Sequence, residues 1–193
     1  MTNAQHFELM YQRNPDPWRV ASDWYERRKR DLLLASLPLE RYRHGFEPGC
    51  GNGETTLKLL ERCDRLCAVD FSQKAIQLCK ERIPTECQGR LNLQSLALPV
   101  DWPDIPKNGF DLIVVSEISY YFNDKNLNIF NNQCISSLSN EGHLLLCHWI
   151  HPAPDRKQST EVLHKGLDKN LQLKSLVAHQ DTDFHLRVWQ KKG

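Results

Sequence analysis

Phe46-Glu47-Pro48-Gly49-Cys50-Gly51-Asn52-Gly53-Glu54-Thr55-Thr56 is the stretch from which the rest of the chain is read. Three glycines alternate with small residues after the short apolar run Gly45-Phe46, and Leu57, Leu59 and Leu60 follow at helical spacing. A strand, a glycine turn and a helix start leave unpaired backbone N–H groups where a ligand can approach the backbone closely. A dinucleotide fingerprint requires glycine at the sixth position of G-x-G-x-x-G. Gly49 and Gly51 satisfy its first part, but position 54 is Glu and the third glycine arrives one residue early, at Gly53. A phosphate loop requires a lysine that this stretch lacks. Glu47, just before the first glycine, suits a ligand that is positively charged there rather than a pyrophosphate.

A second acid is in register with the first. Leu66-Cys67-Ala68-Val69 is a continuous apolar run closed by Asp70, 19 positions after Gly51. That matches the ~20 residues expected before a ribose-binding acid in a βαβ unit. The combined pattern, E-x-G-x-G-x-G followed by this acid, resembles the cofactor motif of class I S-adenosylmethionine-dependent methyltransferases. The resemblance implies S-adenosylmethionine as cofactor and S-adenosylhomocysteine as product. It places Glu47 near the methionine end, Gly49, Gly51 and Gly53 against the cofactor, and Asp70, with Phe71 beside it, at the ribose. The adenine position falls on Ser95-Leu96, where the family often has an acid, and Ser116 completes the cofactor set. The plain alternative is a surface glycine turn beside a helix cap.

Composition narrows the class. The chain has 193 residues, 40% hydrophobic and 25% charged, which fits one globular domain over 1–193 with a real core. A net charge of +1 gives no support to nucleic-acid or anionic-membrane binding. No apolar run approaches a membrane span, and Met1 to His6 lacks a basic-then-apolar signal pattern. Seven cysteines without C-x-x-C read as free thiols in a reducing, cytoplasmic compartment.

Along the chain, residues 1–20 show little periodicity. Ser22 is read as the cap of a helix that Pro38 ends. Its run Arg27-Arg28-Lys29-Arg30 reads either as a solvated face or, with Trp18 and Tyr25, as part of a cap or lid (1–38) over the cofactor. In the second reading Trp18, Tyr25 and Arg28 are the contacts, Arg28 pairing with the cofactor carboxylate. A Rossmann-like core (42–193) then alternates strands and helices: a helix from 54, a strand over 65–70, a Ser72-capped helix to Arg82 and a short strand over 91–94. Residues 98–109, with Pro99, Pro103 and Pro106, form a loop. Phe110 to Ser116 is the clearest buried parallel strand, followed by a helix over 124–139 and a strand over 143–150. A helix over 156–170 and two alternating runs, 171–177 and 184–189, read as a terminal antiparallel pair of edge strands. The expected fold is a doubly wound, mostly parallel, seven-stranded α/β sheet.

Asp16-Pro17-Trp18, Trp24-Tyr25-Glu26-Arg27-Arg28-Lys29, Ser116-Glu117 with Tyr120-Tyr121, and His148-Trp149-Ile150-His151-Pro152 resemble the rhizobial nodulation N-methyltransferases. The resemblance implies a free amine on an amino sugar as acceptor, or a small-molecule amine. Ligands of open α/β sheets bind beyond the carboxyl ends of the strands, which puts Glu117 in position to serve the acceptor. An amine must be neutral to attack, so Glu117, His148 and His151 are candidate bases, with Tyr120 and Tyr121 positioning the acceptor. The structural alternatives are a solvated acid at 117, ordinary rim histidines and core tyrosines. No metal-binding cluster is visible in the sequence. A regulatory module that binds the cofactor without chemistry, an O-methyltransferase and a nicotinamide oxidoreductase are the competing functions; Glu54 in place of glycine disfavours the last.

Overall fold

A computed structural model describes residues 3–193; Met1 and Thr2, where the cap segment and the leader reading begin, lie outside the described residues. The strands are β1 (Tyr42–Pro48), β2 (Cys63–Asp70), β3 (Leu91–Ser95), β4 (Phe110–Ser116), β5 (Leu138–Trp149), β6 (Leu173–Gln180) and β7 (Phe184–Lys191). They form one seven-stranded sheet in the order β3-β2-β1-β4-β5-β7-β6. β1 to β5 are mutually parallel and β7 runs antiparallel to both β5 and β6. The helices are α1 (Asn3–Arg13), α2 (Trp24–Ala35), α3 (Glu54–Leu60), α4 (Gln73–Arg82), α5 (Thr85–Gln88), α6 (Asp124–Ser137) and α7 (Thr160–Asp168).

Strand alternation divides the core between the two faces of the sheet. Leu112, Val114, Leu145 and Cys147 point to the side of α2, α3 and α4, packing with Leu33, Leu59, Leu60 and Cys79. Phe110, Ile113, Val115, Leu144 and Leu146 point to the side of α6 and α7, packing with Phe130, Ile135 and Leu167. The chain runs outward from β1 to β2 and β3, then returns to β4 on the other side of β1. The carboxyl ends of β1 and β4 therefore diverge at a switch point, where a crevice opens.

Ser72 caps α4 as expected, its Oγ accepting from Ala75 N at 3.0 Å. Four expectations change. Residues 3–13 are helical, although their sequence shows almost no apolar stripe. Ser22 is not a cap: α2 starts after Asp23, which makes no side-chain cap bond. Asn140-Glu141-Gly142 belong to β5, which begins at Leu138. Of the terminal strands only β6 is an edge, because β7 inserts between β5 and β6 and buries Phe184, Leu186, Val188 and Trp189. Among the described residues, no helix is long and apolar enough to cross a membrane.

Candidate functional site

A cavity of about 660 Å³ opens beyond β1 and β4, between the sheet and the N-terminal helices. Its floor is the glycine loop. Gly49, Gly51 and Gly53 have φ of 74°, 54° and 86°, values that side-chain-bearing residues rarely adopt. Gly49 N and Cys50 N donate to Val69 O at 2.7 and 2.9 Å, fastening the turn to the end of β2. Asp70 then braces it: its Oδ2 accepts from Gly51 N at 3.1 Å and its Oδ1 from Ser72 N at 2.9 Å.

Both acids of the motif face the cavity, and enclosure shifts both toward their neutral forms. Glu47, at the end of β1, is 3% exposed. Burial pushes its carboxyl up to about 8, against the opposing effect of Thr56 Oγ1, which donates to Oε2 at 2.6 Å. Burial likewise lifts Asp70 to about 6, opposed by the Ser72 and Gly51 amides. An acid of this kind is stabilised as the anion when a cationic ligand group reaches it.

The roof comes from α1, α2 and the segment between them. Glu8 on α1 accepts from Ser72 Oγ at 2.6 Å, docking the helix at the start of α4. Phe7 stacks edge-on against Phe71 and Tyr121, with ring centres 5.6 and 5.1 Å apart. Tyr11 lies over the glycine loop so closely that a Cβ on Gly51 would come within 2.7 Å of its hydroxyl. Asn52 Nδ2 donates to Pro15 O and to Asp16 Oδ1, both at 3.2 Å. On α2 the spacing i, i+3, i+4, i+7 carries Glu26, Lys29, Arg30 and Leu33 to the cavity. Arg30 reaches Glu54 at 3.6 Å and donates to Val20 O at 3.1 Å.

The wall beyond β4 is polar. Glu117 has φ 58°, which turns its side chain into the cavity. Its carboxylate accepts from Lys29 Nζ at 2.8 Å, from Tyr120 OH at 2.7 Å and from Trp149 N at 3.1 Å. Lys29, 5% exposed, also reaches Glu26 at 3.0 Å. Burial by itself would lower the Lys29 ammonium; the Glu117 and Glu26 carboxylates outweigh it and hold the group charged. Burial and the Glu117 charge raise the Tyr120 phenol, which keeps it a hydrogen-bond donor.

Residues 46–142 match the family described as "Methyltransferase domain". The chain belongs to the class I S-adenosylmethionine-dependent methyltransferases. Among relatives, Nodulation protein S of Rhizobium tropici is 29% identical over 67% of this chain. Nodulation protein S of Sinorhizobium fredii is 26% identical over 75% of it. The match spans 53% of the first protein and 67% of the second. A solved Pseudomonas syringae chain, described provisionally as a methyltransferase, is 39% identical, covers 88% of this chain and 100% of its own, and superposes with a TM-score of 0.73. The N-methyltransferase NodS of Bradyrhizobium japonicum, solved with S-adenosylhomocysteine, shares the fold at a TM-score of 0.85, with 24% identity over all of both chains.

Within this methyltransferase, Trp18, Tyr25, Glu47, Gly49, Gly51, Asp70, Phe71, Leu96, Ser116, Glu117, Tyr120 and Tyr121 all line the cavity. Five expected site residues do not. Arg28 points away and pairs with Asp181 at 2.5 Å; the α2 arginine at the cavity is Arg30, two positions on. Gly53 serves packing, because a Cβ there would meet Cys79 Sγ at 2.7 Å. Ser95 turns its hydroxyl back to Phe71 O at 3.2 Å. His151 is exposed and bonds Asp183 at 2.9 Å. His148 is fully buried behind Tyr120, accepting from Ser119 N at 3.4 Å and facing His164 Nε2 at 3.4 Å. Burial lowers it to about 3, so it is a neutral core histidine without access to a substrate. Residues not anticipated from the sequence include Tyr11, Lys29, Arg30, Asn52, Trp149 and Arg156.

Proposed function

We propose that this methyltransferase moves the methyl group of S-adenosylmethionine to the nitrogen of a small-molecule or amino-sugar amine, in the cytoplasm, where its seven free cysteines stay reduced. One observation carries the amine assignment: Glu117 faces the cavity at the end of β4 and, with Glu26 and Lys29, sets two carboxylates against one ammonium. Such a wall favours a cationic or hydrogen-bond-donating nitrogen. The N-methyltransferase activity named for the Bradyrhizobium japonicum protein supports the reading.

The residues present fit the cofactor. Asp70 would hold the ribose hydroxyls, the anion of Glu47 the methionine ammonium, and Arg30 the methionine carboxylate in place of Arg28. Leu96 and Leu98 flank the base, and the bare backbone of Gly49 and Gly51 admits close approach. When bound, S-adenosylmethionine supplies an electrophilic methyl: the amine lone pair forms N–C as C–S breaks and its electrons pass to sulfur. The protein's contribution is alignment. Glu117 accepts an N–H of the amine and offsets the positive charge that develops on nitrogen. Tyr120 fixes the carboxylate, and α1 with α2 closes over the site as a lid that excludes water.

The test is methyl-labelled S-adenosylmethionine offered with small amines, deacetylated chito-oligosaccharides and hydroxyl analogues. Label should pass to an amine, and Glu117→Gln should abolish transfer with S-adenosylhomocysteine affinity retained. Transfer to hydroxyls alone, or tight cofactor binding without any transfer, would replace this reading with O-methylation or with a binding module.

A further inference from the structure

The cavity-lining cations are Lys29, Arg30, Arg156 and Lys157. The first two are matched by acids: Lys29 by Glu26 and Glu117, Arg30 by Glu54. Among the described residues, no carboxylate pairs with the other two. Arg156 is also held too firmly to be a loose surface chain. Its guanidinium carbon lies 3.8 Å from the centre of the Tyr120 ring and 4.7 Å from that of Trp149. One terminal nitrogen donates to Trp149 O at 2.8 Å and to His151 O at 2.9 Å, while the buried Nε has no partner. A half-buried, oriented guanidinium with donors to spare is suited to bidentate recognition of carboxylate or phosphate. Asp155 lines the same wall, leaving two cations against one acid there.

The position of this group relative to Glu117 is the informative part. Tyr120 gives its hydroxyl to Glu117 while its ring face carries Arg156. Trp149 gives its N–H to Glu117 and its carbonyl to Arg156. One aromatic side chain and the backbone of one residue thus separate an acidic pole from a basic pole. We infer that the acceptor is an amine carrying a carboxylate or phosphate a few bonds from the reacting nitrogen, with Arg156 as the residue that recognises the anion. This rests on the methyl-transfer reading for the amine end. It concerns a different group from the cofactor's own carboxylate, which is assigned to Arg30.

The experiment is calorimetry on protein saturated with S-adenosylhomocysteine, titrated with matched pairs: glucosamine against glucosamine 6-phosphate, and ethanolamine against β-alanine. The anionic member of each pair should bind at least tenfold more tightly. Arg156→Gln should bring the ratio to within about twofold while S-adenosylhomocysteine affinity stays unchanged, and Lys157→Gln should lower it less. Equal or weaker binding of the anionic members overturns the proposal, as does a ratio that survives Arg156→Gln. If that variant loses the cofactor product, Arg156→Lys decides, since it keeps the charge but loses the fork: a ratio left at the wild-type value refutes recognition by the guanidinium. These readouts require no turnover. A failure of label transfer therefore strikes the methyl-transfer reading, and a missing anion preference strikes this one.

Discussion

Glu47 offers a quantitative test of how the glycine loop works. Its carboxyl is lifted from 4.5 to about 8 by burial, so the empty site is largely protonated at neutral pH. The proposed methionine ammonium beside it would stabilise the anion, so that binding expels the proton. Linkage at Glu47 makes S-adenosylhomocysteine bind about 50-fold more tightly at pH 8 than at pH 6, about 100-fold with Asp70 included, and Glu47 releases about 0.9 proton at pH 7. The sign for stability is opposite. Between 4.5 and 8 the unfolded chain has lost this proton and the folded chain keeps it, so the contribution of Glu47 to the stability of the ligand-free protein is lost as pH rises through that window. At ~1.4 kcal/mol per factor of ten the whole interval corresponds to ~5 kcal/mol. Glu47→Gln removes both effects. Its affinity should vary only about twofold from pH 6 to 8, the residue left by Asp70 with its carboxyl near 6. Calorimetry in buffers of different ionisation enthalpy measures the proton count, and thermal unfolding measures the stability slope. Equal proton release by wild type and Glu47→Gln would refute the reasoning.

Four further outcomes follow from the same geometry. Asp70→Ala removes the proposed ribose contact and the brace on Gly51, so calorimetry should show S-adenosylhomocysteine affinity falling by more than 100-fold, with far-UV circular dichroism unchanged. Glu117→Gln should lower turnover by at least 100-fold in the labelled-methyl assay while S-adenosylhomocysteine affinity changes less than twofold. Gly53→Ala forces a side chain to φ 86° and against Cys79, which should cost about 2–4 kcal/mol in urea unfolding. His148 and His164 are lowered by burial to about 3 and 2. The unfolded chain takes up those protons below pH 6.5, a loss of stability on acidification that opposes the Glu47 gain; in the Glu47→Gln background thermal unfolding should therefore show stability falling as pH drops below 6.5, and adding His148→Asn should reduce that slope.

The sequence was most legible where chemistry fixes spacing. The glycine pattern, Glu47 and Asp70 announce their positions because a loop must approach a ligand and an acid must close the next strand. The α2 charges show the opposite case. Arg27 to Arg30 read as a solvated face because charged side chains are seldom buried unpaired. Yet Glu26, Lys29, Arg30 and Leu33 share one helical stripe, and their acidic partners, Glu117 and Glu54, lie far away in sequence. The stripe could have been read at helical period had paired charges been admitted to it. Helix α1 left a weaker trace: its anchors Phe7 and Tyr11 are four apart, but Glu8 and its acceptor role toward Ser72 depend on tertiary contact alone. His148 misled because a strand-end histidine resembles a rim residue until the next layer, α7 with His164, covers it. β7 gave no sequence sign of its internal position, since alternation looks alike in an edge strand and in one flanked on both sides.

The most direct test of the central claim is an experimental structure of this protein with S-adenosylhomocysteine bound. In that structure the ribose hydroxyls should lie on Asp70, the methionine ammonium on Glu47 and the sulfur open toward Glu117 and Tyr120. An adenosine lodged instead at the Tyr120–Arg156 wall, or a sulfur facing away from Glu117, would contradict that claim.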